Sequence, residues 1–262
     1  MHVRRCLGDP LRRFFSPPQG PRLCSEVPEN ILLIIMSQPE QGPTEELVEL
    51  PLFPLNMVLF PGMPLPLHIF EERYKAMIGE CLEREEPFGI VLIKEGQEVG
   101  DPADPFRIGT TARIVQSERL QEGRLNILTT GEKRFELVEI TQRVPHLVGQ
   151  VKYLTEDPGD EPSPMLPEVS EEYAAFLRSL TALSGGWTAQ VEVPEDPVQL
   201  SFAVCASLAT SIELPRDTRQ ELLEMSNAQQ RLEKLLPLLK RGNTMLTEEV
   251  AKRNPFQGPR LN

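Results

Sequence analysis

The spacing of apolar residues differs between the middle and the last third of this chain, and this difference limits the folds that are open to it. Between residues 106 and 155, apolar and polar residues alternate, as in 109–115 and 134–140. Alternation is typical of strands that bury one face. From 168 to 253 apolar residues instead recur at helical spacing. We therefore predict an α+β protein, in which a small antiparallel barrel or closed sheet precedes a helical bundle.

Composition predicts where these parts begin and end. The Pro- and acid-rich segment 156–167 is typical of a linker, here between a β subdomain at 47–155 and a helical subdomain at 168–253. Residues 254–262 are predicted to be a flexible tail. Residues 1–46 are rich in Arg and Pro, and we interpret them as a disordered leader or as the result of a true start at Met36. A transit peptide or a secretory signal is the alternative.

The local signals predict several elements. Residues 47–67 are apolar but interrupted by prolines, which lack the N–H group that a central strand donates, so we expect short strands and turns there. Residues 69–84 predict one amphipathic helix, and 88–93 a buried strand. Gly123 and Gly131 are each predicted to lie in a turn between strands. Asp196 and Ser226 are predicted helix N-caps.

Charge and cysteine content narrow the possible partners. The formal net charge of −12 and the pI near 4.9 argue against nucleic acid, because phosphate contacts depend on Lys and Arg. No apolar run approaches the length of about 18 residues that predicts a membrane span. Cys81 and Cys205 lie in apolar helical contexts, so we expect them to be buried free thiols in a protein of a reducing compartment.

Motifs for catalysis and for metal binding do not occur. The chain has neither the glycine pattern of a P-loop nor a Gly-x-Ser-x-Gly elbow, and no second histidine stands at ligand spacing from His68 or His146. We predict no catalytic residue, no cofactor and no metal site.

The proline-interrupted stretch is the most distinctive candidate binding surface. It holds methionines and phenylalanines on an irregular backbone, and loops of this kind usually run over the surface. Although most of these side chains suit a core, we expect some to face outward. An exposed patch that contains flexible methionines can accept varied hydrophobic peptides. The predicted peptide-binding residues are Met57, Phe60, Met63 and Leu65.

This stretch also resembles a known family. Residues 49–74, ELPLFPLNMVLFPGMPLPLHIFEERY, are similar to the opening motif of the Lon protease N-terminal, substrate-recognition domain family. Two further matches follow in the expected order, GTTARI at 109–114 and GRLNILTTGEKRF at 123–135. The resemblance covers about residues 47–252. It implies a PUA-like twisted β-barrel subdomain with one inserted helix, followed by a helical bundle.

The resemblance implies binding rather than catalysis. The ATPase and protease modules of full-length Lon have no counterpart in the motifs found here, so we expect a stand-alone binding module and no enzyme. Its expected ligands are exposed hydrophobic or misfolded protein segments, which it recognises as an adaptor to a protease or chaperone in quality control in a bacterial cytoplasm. The alternatives are a regulatory or structural partner of one specific protein, and a third class that comprises a small-molecule or RNA site in the barrel or an unrecognised enzyme.

Overall fold

The computed structural model describes residues 46–97, 104–159, 163–186 and 190–253, which belong to one compact unit. The predictions for the leader before residue 46 and for the tail at 254–262 lie outside the described residues. The strands are β1 (Val48–Leu55), β2 (Pro64–Ile69), β3 (Phe88–Glu95), β4 (Asp104–Arg119), β5 (Leu125–Gln142) and β6 (Leu147–Tyr153). The helices are α1 (Glu72–Arg84), α2 (Leu166–Leu183), α3 (Pro197–Ser211), α4 (Arg216–Glu224) and α5 (Ala228–Arg253), with a 3₁₀ turn at Gln121–Gly123. Within the described ranges, none of these helices is long and apolar enough to cross a bilayer.

The strands form one mixed sheet, in the order β2, β5, β4, β3, β1 and β6. The pairing of β1 with β3 is parallel, and the other pairings are antiparallel. β6 also pairs with the second half of β5, from Phe135 to Gln142. The pairings therefore return to β5 and form a closed circuit through β4, β3, β1 and β6, while β2 lies beside β5.

Helix α1 is inserted between β2 and β3, as the amphipathic pattern predicts. It begins at Glu72 rather than at residue 69, because Ile69 is the last residue of β2. Its buried face includes Tyr74, Met77 and Ile78, which join the main hydrophobic core. The helix also provides the crossover that parallel pairing of β1 with β3 requires.

The predicted turn at Gly131 is wrong. β5 continues without interruption from Leu125 to Gln142, so the two strands expected at 124–129 and 134–140 are one. Gly131 serves the segment before β2 instead: its N–H donates to the Met63 carbonyl at 3.0 Å, and its own carbonyl accepts from Gly62 N at 2.8 Å. A Cβ atom at this position would collide with the backbone carbonyl of Phe60. Glycine is thus required for a close backbone approach rather than for a turn.

We expect the substitution Gly131→Ala to lower the free energy of unfolding by about 1–3 kcal/mol, the usual cost of overpacking, because the group it meets is backbone and not a flexible side chain. Urea unfolding monitored by circular dichroism measures the change. The control is Gly79→Ala in α1, where an added Cβ meets no atom within 4 Å. That control should be neutral or stabilising. Equal midpoints for Gly131→Ala and the parent protein would contradict the packing described here.

The helical half packs on the sheet through a shared core. One hydrophobic cluster includes Phe60 and Phe88 from the β half and Phe176 and Leu200 from the helices. Helices α2 and α3 both pack against α5. The β half and the helical half therefore bury their apolar faces against each other, and α2 already begins at Leu166, within the predicted linker.

Helices α3 and α5 are each capped at the N-terminus by a side chain. The Asp196 carboxylate accepts from Gln199 N at 2.8 Å and caps α3, as predicted. The predicted cap of α5 at Ser226 is wrong, since the Asn227 amide oxygen accepts from Gln230 N at 2.9 Å. The Asn227 side chain also donates to the Asp157 carboxylate at 2.6 Å. The segment after β6 is thus tied to the start of α5.

Candidate functional site

The predicted hydrophobic patch is not a continuous exposed surface. Phe60, Met63 and Leu65 are 1%, 4% and 7% exposed and belong to the core, so the expectation that they face outward is wrong. Met57 is half-buried and packs against the same core.

The prolines of β2 explain the burial of its apolar residues. β2 lies at the edge of the sheet, where a residue without an N–H group is tolerated. Pro64 and Pro66 occupy the exposed positions of the alternation, and Leu65 lies between them on the buried face. Prolines therefore cover the outer face here, and the strand still buries its other face.

A cavity of about 440 Å³ lies where the β half meets α3. Its apolar wall contains one face of α3, and the rest of the lining comes from the middle of β5, the segment after β6 and the turn before β2. The lining residues are Pro61, Gly62, Glu132, Lys133, Arg134, Leu154, Glu156, Val198, Gln199, Phe202, Ala203 and Ala206. This volume lies within the range of about 300–1,000 Å³ that is typical of ligand pockets.

A buried ion network adjoins the cavity: Arg134 and Glu156 line it, whereas Arg231 does not. Arg134 binds Glu156 through two parallel contacts, Nε to Oε1 at 2.6 Å and Nη2 to Oε2 at 2.9 Å. Arg231 Nη2 donates to the same Oε2 atom at 3.2 Å. Both guanidinium side chains are fully buried, whereas the Glu156 side chain is 24% exposed. One carboxylate therefore serves two cations.

Backbone and hydroxyl groups complete this network. Arg134 Nη1 donates to the Leu223 carbonyl at 2.5 Å. Arg231 donates to the Ser201 hydroxyl at 2.6 Å and to the Met225 carbonyl. These contacts connect β5, the segment after β6, and the helices around the cavity, so the network also holds the β and helical halves together.

Arg231 is the most desolvated member of the network. Its guanidinium carbon lies 3.9 Å from the centroid of the Phe202 ring, and its Nε has no hydrogen-bond partner among the described residues. Burial lowers the pKa of Arg231 from its ordinary value, and the nearby Arg134 lowers it further. An arginine remains charged at neutral pH. The network therefore holds one more positive than negative charge.

The mouth of the cavity adds another cation. Lys133 is exposed and lies over the Tyr153 ring, with its Nζ 5.4 Å from the centroid, and no carboxylate of the described chain forms an ion pair with it. Its neighbour Glu132 is already paired with Arg113. The Lys133 charge is consequently available to a ligand.

Other candidate residues lie outside the cavity. His68 is exposed and shares a 2.7 Å hydrogen bond with Asn126, and burial lowers the pKa of His146. Cys81 and Cys205 are buried free thiols, as predicted, and burial raises their pKa values to about 11 and about 12. In the described ranges, no group of three or more metal-ligating side chains forms a site.

The sequence interpretation missed the three residues of the network. A signal existed for Arg231, because this basic residue stands on the buried face of α5 beside Leu232 and Leu235. No sequence pattern predicted that Glu156 is part of a buried network, because a carboxylate in an acidic, proline-rich segment is typical of a solvated linker. Its partners come from distant parts of the chain, so spacing alone does not reveal them.

Comparison with known proteins identifies the family. Residues 49–241 match the family model of the substrate-binding domain of ATP-dependent protease La (LON). Lon protease of Flavobacterium johnsoniae is 30% identical over 181 residues, which cover 67% of this chain and 21% of that protein. Lon protease 2 of Myxococcus xanthus is 28% identical, over 75% of this chain and 24% of its own length. The chain thus spans about a fifth to a quarter of these curated relatives.

Solved structures agree with this assignment. A Lon N-terminal domain protein from Xanthomonas campestris has a TM-score of 0.55 and 28% identity, covering 72% of this chain and 98% of that one. The N-terminal domain of Lon protease from the Mycobacterium avium complex has a TM-score of 0.56 over 74% of this chain, and at 18% identity it supports the fold alone. The mixed sheet and the helices that pack on it have the fold of a Lon N-terminal domain. The chain belongs to the family of Lon substrate-binding domains.

Proposed function

We propose that this chain is a non-catalytic binding module that recognises exposed hydrophobic segments of unfolded proteins and serves as an adaptor to a protease or chaperone in the cytoplasm. The observation that carries this proposal is the cavity with an apolar wall, within a chain of the Lon substrate-binding family. The closed circuit of strands and the helices that pack on α5 fit a PUA-like barrel followed by a helical bundle.

The wall of the cavity suits an apolar side chain. Val198, Phe202, Ala203 and Ala206 recur on one face of α3, and small residues leave room between the helix and the strands. Met57 retains partial exposure and remains a proposed contact for the flanking peptide. Cavities of this kind gain affinity by removing apolar surface from water.

Binding to a permanently unfolded, fluorescently labelled protein tests the proposal, with its folded counterpart for comparison and without nucleotide. We expect selective binding to the unfolded form, measured by fluorescence anisotropy on the full chain. Ala206→Phe fills the cavity and should weaken this binding about tenfold or more, which corresponds to about 1.4 kcal/mol. Thr210→Phe adds the same ring at an exposed position of α3 and should leave the affinity unchanged.

The outcomes separate the proposal from its alternatives. Equal weakening by both variants would mean that the cavity is not the binding site. Failure of the parent protein to bind either form would overturn generic recognition of unfolded chains and favour a regulatory role toward one specific protein.

A further inference from the structure

The charges of the lining residues and of their ion-pair partners sum to a positive value, opposite in sign to the charge of the whole chain. The chain carries a formal net charge of −12. In the ion network beside the cavity, however, Arg134 and Arg231 share the single carboxylate of Glu156. Lys133 at the mouth has no ion-pair partner among the described residues, while Glu132 is held by Arg113. Two positive charges are therefore left without a matching carboxylate.

Low polarity strengthens the effect of this excess charge. Both guanidinium groups are fully buried, and the Phe202 ring and the α3 wall exclude water on one side. The interaction of a charge with its partner is larger at a desolvated site than in bulk water. A ligand anion at Lys133, beside the α3 wall and the buried guanidinium groups, thus gains more than an anion at a lysine that is surrounded by water on all sides.

The lining combines this charge with apolar surface. Lys133 lines the same cavity as Phe202, Ala203 and Ala206 of α3. A ligand that carries an anionic group beside an apolar group complements both, whereas inorganic phosphate would leave the α3 wall uncovered. The site therefore favours a negative charge attached to an apolar group.

We infer that the cavity binds the C-terminal residue of a polypeptide, with the α-carboxylate at Lys133 and an apolar side chain against α3. This inference rests on the proposed function. Within a single residue of a protein, an apolar side chain and a carboxylate occur together only at the C-terminus. Asp and Glu carry the same charge but little apolar surface, and they would leave the wall of Phe202 and Ala206 uncovered.

Two synthetic peptides test the inference, a labelled peptide that ends in Leu with a free carboxylate and the same peptide with a C-terminal amide. We expect the free acid to bind the full chain about tenfold more tightly, which corresponds to about 1.4 kcal/mol. Lys133→Met keeps most of the apolar stem but removes the charge, and it should abolish the difference between acid and amide. Lys94→Met, at an exposed position of β3 away from the cavity, should preserve that difference.

The design distinguishes this inference from the function on which it rests. Equal affinities for acid and amide, together with binding of an unfolded protein, would overturn C-terminal recognition and leave the proposed function standing. Absence of binding to both peptides and to the unfolded protein would overturn both. A peptide acid ending in Asp that binds as tightly as the one ending in Leu would contradict the role given to the apolar wall.

Discussion

Glu156→Gln is expected to lower the free energy of unfolding by about 3–5 kcal/mol, because it leaves buried guanidinium groups without their carboxylate. Arg134 and Arg231 both bind the Glu156 oxygens, and neither has any side-chain exposure. Two buried guanidinium groups would then remain without a carboxylate partner. The amide of glutamine accepts through one oxygen only, so it cannot replace the paired contacts with Arg134.

Chemical denaturation with urea measures this loss, provided that the slope of the transition stays constant. The matched control is Glu168→Gln, whose carboxylate bonds to Lys240 at 2.6 Å on the surface, with both side chains about half exposed. An exposed pair of this type contributes about 0–1 kcal/mol. Similar small losses for Glu156→Gln and for the control would show that the network is not the electrostatic connection between the β and helical halves that we describe.

Signals between near neighbours in sequence predicted much of the fold. The helical spacing at 69–84 and the cap at Asp196 each depend on residues within a few positions, and both elements form. The alternation in 109–115 likewise predicted a segment of β4. Each of these patterns depends on residues close together in sequence, and the tertiary contacts of the chain do not override them.

Errors arose where a distant segment determines the local conformation. Gly131 reads as a turn residue, but the approach of the Phe60 backbone explains the glycine. Leu65 was expected to face outward, because proline was assumed to prevent burial, although the edge position of β2 makes its prolines harmless. The approach of Gly131 to Phe60 and the pairing of Leu65 with Thr129 both join residues far apart in sequence, so local patterns do not predict them.

The cavity could not be predicted from local patterns either, because segments distant in sequence form its lining. Its lining combines the turn at Pro61, the strand residues around Lys133, the segment that ends at Glu156, and one face of α3. Each segment has an ordinary local interpretation as turn, strand, linker or helix. The excess of positive charge exists only when folding brings Arg134 and Arg231 to the same carboxylate. The family could be predicted from motifs, whereas the site required the assembled fold.

Phe60→Ala is expected to lower the free energy of unfolding by about 3–5 kcal/mol, the usual cost of removing a buried phenylalanine ring. The ring of Phe60 is 1% exposed and belongs to the core that the sheet shares with the helices. Since Phe60 does not line the cavity, protein that remains folded should bind unfolded chains with unchanged affinity. Phe60→Ala is therefore expected to lower the free energy of unfolding without changing the affinity for unfolded chains.

Met57→Ala provides the comparison on the same segment, because Met57 is only half-buried. Its loss of stability should be smaller, about 1 kcal/mol, because part of the side chain is already in water. Thermal and urea unfolding give the stability of each variant, and anisotropy at a temperature where all variants are folded gives the affinity. If Phe60→Ala weakens binding without lowering stability, the phenylalanine acts at the surface after all, and the binding site moves from the cavity to the segment before β2.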